Sequence, residues 1–133
     1  MTAERILLWL LRLNAAVLLL AAPCALLPLS WMDRIHREAL GLGPLPDLPI
    51  IRYMARSLSL LYATYGLITL YITLDWPRYR EVVPLVAWLH VVFGGAMLAV
   101  DLDAGMPWWW IAAEGPPLAV MGLVMLILYR RAK

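Results

Sequence analysis

The chain is poor in the residues that most chemistry needs. It has one cysteine, Cys24, among 133 residues. That excludes an intrachain disulfide, a paired-cysteine redox centre of the vitamin-K-reductase kind and a CxxC zinc site. It has two histidines, His36 and His90, too few for a multi-haem protein. A bis-histidine haem needs two ligands facing each other across helices, and His36 falls in a connecting segment. Charged residues make up only 15% of the chain, against roughly 25% in a soluble domain. The net charge of +2 gives no electrostatic footprint for nucleic acid. No Walker-type phosphate loop occurs. No acidic residue lies in the middle of the first apolar run, where a small multidrug exporter needs one.

Apolar residues are plentiful. They account for 64% of the chain, and the mean hydropathy is +0.78. The runs Leu13–Met32, Ser57–Leu74 and Val82–Val100 contain no Asp, Glu, Lys or Arg, and Ala104–Tyr129 contains one, Glu114. A membrane-spanning helix needs about 20 such residues. The sequence therefore predicts an all-α protein of a single domain, residues 1–133. It is a four-transmembrane-helix bundle with spans at roughly 5–29, 50–74, 82–102 and 107–129. The first run is too long and too weakly basic at its start for a signal peptide, and it reads as a retained helix that Pro23 and Pro28 kink or end.

Residues 30–49 differ from the runs on either side. Ser30 and Asp33 suggest a helix start. Trp31, Met32, Ile35 and Ala39 share one face at helical spacing, with Asp33, Arg34, Arg37 and Glu38 elsewhere. This is the pattern of a short amphipathic helix lying in the headgroup layer. Gly41 and Gly43 end it, and Pro44, Pro46 and Pro49 stiffen the return.

Basic residues set the orientation. Arg5, Arg12, Arg78, Arg80, Arg130, Arg131 and Lys133 fall on one side, and Arg34, Arg37 and Arg52 on the other. Seven against three places both termini in the cytoplasm, and compactness points to a bacterial inner membrane. Trp31, Tyr53 and Trp108–Trp110 at one boundary, and Trp76, Tyr79 and Tyr129 at the other, form an aromatic belt.

Ionisable residues inside a span cost roughly 2.5–3.5 kcal/mol, so they face inward toward a partner, either as a polar clamp that fixes helix register or as a small polar cavity for a headgroup or proton. Arg56, His90, Asp101 and Glu114 qualify. At 1.5 Å per residue, Arg56 lies about 9 Å and Glu114 about 10 Å inside the same boundary. A guanidinium can grip a carboxylate with two hydrogen bonds. The expected site is an Arg56–Glu114 pair closed by Asp101 or Asp103, with His90 and Tyr65 deeper. Arg56, Ser59, Ala63 and Gly66 form one stripe, and His90, Gly94, Met97 and Asp101 another. Pro116 and Pro117 carry no N–H, which leaves the carbonyls of Ala112 and Ala113 without their usual donors.

Arg56, Tyr65-Gly66, Gly94-Gly95, Asp101 and Glu114, in that order, resemble the DoxX-like group of small four-helix membrane proteins. The resemblance covers roughly Ile50 to Tyr129. It implies the four-helix fold and an association with membrane redox complexes, in particular thiosulfate–quinone oxidoreduction. The residues themselves imply no resident cofactor and no metal. They favour an accessory or structural subunit, whose buried Arg56–Glu114–Asp101 cluster clamps the helix bundle, over an enzyme, with the lipid bilayer, a larger membrane complex or a second copy as partners and no nucleic acid. The alternatives are a binder or carrier of a quinone or lipid, and a proton-handling component of a redox complex.

Overall fold

Proline and glycine punctuate a chain that is otherwise built to be helical, and the breaks in the computed structural model follow them. The structure describes residues 2–132. The elements are α1 (Ala3–Leu19), α2 (Ala21–Cys24), α3 (Leu29–Arg34), a π-helical turn (Ile35–Ala39), α4 (Pro49–Leu74), α5 (Trp76–Tyr79), a 3₁₀ turn (Arg80–Val82), α6 (Val83–Asp103), α7 (Trp108–Ala113) and α8 (Gly115–Ala132). There is no strand among the described residues. Four stretches are long and apolar enough to cross a membrane: Ala3–Cys24, Pro49–Leu74, Trp76–Asp103 and Trp108–Arg131.

The chain divides into two compact units, Arg12–Tyr71 on one hand and Met1–Leu11 with Ile72–Lys133 on the other. In the first, α1 and α4 meet closely at Gly66. A β-carbon there would stand 3.0 Å from Leu18 Cβ and 3.1 Å from the Ala15 carbonyl oxygen, so glycine is what lets the helices approach. Ala15, Ala63 and Thr69 are buried around this point. The first predicted span runs too far. Helix α1 ends at Leu19, and α2 ends at Cys24 rather than near residue 29. Pro23 has no N–H to offer the Leu19 carbonyl, and the following turns tighten to i→i+3 bonds, such as Ala25 N–H to Ala22 (3.2 Å) and Leu26 N–H to Pro23 (3.0 Å).

The segment after it is helical as expected, with a different start. Helix α3 begins after Pro28, not Ser30, and no side chain caps it. Asp33 has another task. Its Oδ1 accepts the Leu45 backbone N–H at 2.8 Å, and its Oδ2 pairs with Arg37 at 3.2 Å. His36 Nδ1 bonds the Gly43 carbonyl at 2.7 Å. The return loop is thereby folded back onto the helix. Gly41 and Gly43 make the turn with positive φ (64° and 84°), where a side chain would be strained. Trp31 and Ile35 stay exposed.

In the second unit α6 and α8 form the most extensive helix contact. They run antiparallel: Gly94 faces Gly115 and Ala119, and Gly122 faces Ala87 and Val91. A β-carbon on Gly94 would come within 2.5 Å of the Gly115 oxygen, and one on Gly122 within 2.5 Å of the Ala87 oxygen. Backbone therefore rests on backbone. Bulky side chains such as Trp88, Val92, Val120 and Ile127 point outward, the arrangement expected where lipid is the solvent.

Candidate functional site

The glycine contact fixes which polar residues of the second unit meet. Asp101 lies near the end of α6, three residues beyond Leu98, whose backbone stands against Gly115. Glu114 precedes Gly115 in the break between α7 and α8. The register of the glycine contact thus brings the two residues to the same end of the α6–α8 pair.

The break has a chemical cause. Pro116 and Pro117 cannot donate to Ala112 and Ala113, so α7 stops at Ala113, and both prolines fall in the first turn of α8, where proline is tolerated. Glu114 sits in the kink with its N–H on the Trp110 carbonyl at 3.0 Å. One of its carboxylate oxygens also takes the Trp110 indole N–H. Trp109 and Trp110 stack edge to face at 5.7 Å between centroids.

Asp101 is 3% exposed. Its Oδ2 is buried and has no hydrogen-bond partner among the described residues. Asp103, the other residue expected to close the site, is exposed. Asp101 and not Asp103 thus lies on the buried face of α6, because two residues on a helix turn the side chain by about 200°. His90 lies on the same face of α6 and is 4% exposed. Its Nδ1 stands 2.8 Å from the Val86 carbonyl oxygen. A carbonyl only accepts, so Nδ1 carries the proton.

Arg56 and Tyr65 belong to the other unit. Tyr65 is half-buried. Arg56 is exposed, and it takes no part in the ion pairs Arg37–Asp33, Arg52–Asp47 and Arg80–Glu81. The stripe that was expected to turn it inward holds for Ala63 and Gly66, which are buried. Ten residues separate Arg56 from Gly66, however, and at 100° per residue that leaves them about 80° apart around the helix. The structure thus brings Asp101 and Glu114 together, adds Trp110, and leaves Arg56 facing outward on α4.

Trp110 is the contributor that sequence reasoning missed. Its spacing to Glu114 is i, i+4, which puts both on one helical face. That signal was readable, but an anchoring role for Trp108–Trp110 masked it. Of the three, Trp108 alone is wholly outward, at 80% exposure.

At the opposite end of the α6–α8 pair, carboxylates are met by donors. Tyr129 donates its hydroxyl to Glu81 at 2.6 Å, and the Trp76 indole N–H donates to Glu4. Arg80 Nε has no hydrogen bond, yet it lies 3.6 Å from a Glu81 oxygen. Among the described residues no group of three or more His, Cys, Asp or Glu side chains is placed to hold a metal ion. No family model, no curated protein and no solved structure matches this chain.

Proposed function

We propose that this chain is a multi-pass protein of a bacterial inner membrane, with both termini in the cytoplasm, that serves as an accessory or structural subunit of a larger membrane assembly. One observation carries the reading: α6 and α8 close backbone to backbone through Gly94, Gly115 and Gly122, while bulky apolar side chains point outward from the long helices. A rigid pair with an apolar exterior suits a scaffold embedded among lipids and neighbouring helices. In this reading the glycines fix helix register, and an Arg56–Glu114 pair is not needed for it. The seven-to-three excess of basic residues supports the orientation. Kinship with the DoxX-like group rests on the order of Arg56, Tyr65-Gly66, Gly94-Gly95, Asp101 and Glu114.

The test is extraction and mass. The chain should resist alkaline carbonate extraction, and reporters fused to either terminus should read as cytoplasmic. Taken from native membranes in mild detergent, it should run in a complex larger than itself with a constant partner. A free monomer would remove the accessory role. Organic extraction of the same sample separates the alternative: a quinone or lipid in stoichiometric yield would make the chain a carrier.

A further inference from the structure

We propose that Asp101 and Glu114 form a proton-binding site, holding one proton between them and exchanging it with the water at that end of α6. The proposal does not depend on the accessory role.

The argument begins with a deficit. Asp101 is almost wholly buried, its Oδ2 lacks a donor, and the contact of Gly115 with Leu98 brings Glu114, one residue before Gly115, to the same end of α6. A buried polar atom without a partner is rare and costly. A carboxylate buried away from water, with a second carboxylate at the same end of the helix pair, does not readily stay ionised. Something must supply a donor and remove a negative charge.

The elements packed against α6 in its unit offer no cation at this point. On α8 the titratable and charged groups are Tyr129, Arg130 and Arg131, all at the far end, where Tyr129 meets Glu81. Arg78, Tyr79, Arg80 and Glu81 lie in the turns that open α6. Arg5 follows Glu4, which is bonded to Trp76 at that same far end. On α6 itself His90 is eleven residues from Asp101, about 17 Å along the axis, with its Nδ1 on the Val86 carbonyl. Asp103 is exposed and carries the wrong sign. Helix α7 contributes Trp110, a neutral donor already given to Glu114.

A proton meets both needs. On either carboxylate it cancels one charge and makes an O–H donor that can bond the other. A metal ion needs a larger set of oxygens, and no such group gathers among the described residues. The balance is simple. Water at that end delivers one proton, the pair passes from two negative charges to one, and release returns the proton to water. Glu114, half-buried in the kink, is the member that water reaches. Asp101 is the inner member.

The experiment is infrared spectroscopy of the full chain in phosphatidylcholine vesicles. At neutral pH the wild type should show a protonated-carboxyl C=O stretch equivalent to one group per chain. The band should shift in deuterated water and fade as pH rises. It should be lost in Asp101→Asn and in the double variant D101N/E114Q, and kept in Asp103→Asn. Absence of the band in wild type at neutral pH would overturn the proposal, and so would a band left intact in D101N/E114Q. The deuterium and pH shifts need no variant, so they decide the matter even where a substitution blocks folding. Sodium chloride is the control cation. A rise in thermal midpoint with sodium at fixed pH, without the carboxyl band, would assign the site to a metal cation and sink the proton.

Discussion

The two ends of the α6–α8 pair treat acidic residues in opposite ways. At the Tyr129 end, Glu81 and Glu4 each receive a hydrogen bond from an aromatic side chain, and Arg80 adds a positive charge. At the other end Glu114 receives one indole bond, while Asp101 is buried with an oxygen that receives none. At the first end both carboxylates have a donor, and it reads as a fastening. The second is unsatisfied and reads as a site. A single contact, glycine on backbone, connects the two, since it sets which residues face each other at both ends.

Breaking that contact should give the largest effect. Gly94→Ala places a methyl group against the Gly115 oxygen and the Ala119 nitrogen, backbone atoms that cannot move aside singly. A loss of about 3 kcal/mol in detergent unfolding is expected, the upper part of the usual overpacking range. Gly95→Ala is the control. Its β-carbon meets nothing within 4 Å, and a helical alanine in place of glycine should leave stability equal or raise it by about 0.5 kcal/mol. Equal losses in the two variants would mean that the register drawn here is wrong.

Next in size is the fastening at the satisfied end. Tyr129→Phe removes the donor to Glu81 and keeps the ring. Because the Glu81 carboxylate is largely in solvent, the loss should be about 1 kcal/mol, within the range for one hydrogen bond. At the unsatisfied end, Asp101→Asn should unfold no earlier than wild type, since the amide supplies N–H donors in place of the shared proton. A midpoint lowered as far as in Tyr129→Phe would erase the contrast between the ends. Trp110→Phe takes the indole donor from Glu114 and should cost about 0.5–1 kcal/mol, read by the same melt. The smallest effect belongs to Glu4→Gln, whose amide oxygen can still accept from Trp76. A change under about 0.5 kcal/mol is expected, as for most surface substitutions.

Much of the fold could be read from the chain. The four long helices follow from apolar runs of spanning length, and the kink at Glu114 follows from Gly115-Pro116-Pro117. The ends were less legible. Hydropathy alone carries span one past Pro23, because it does not register a missing N–H. Ser30 looked like a cap, yet Pro28 begins the helix and Asp33 fastens the loop instead. The inward face of α6 was legible: His90, Gly94 and Asp101 are all buried. The orientation of Arg56 was not, because a stripe drawn at i, i+3, i+7 and i+10 drifts around the helix as it lengthens.

Composition and the spacing of prolines by themselves determined that the chain is helical, that four helices are apolar enough to cross a membrane, and where several of them break. These are local properties, set by transfer energy and by backbone hydrogen bonding. Tertiary structure alone decided that Gly94 and not Gly95 is the contact, and that Asp101 and not Asp103 is buried. Neighbouring residues of identical chemistry differ there only in the direction they face, and that direction has no meaning until a second helix is packed against the first.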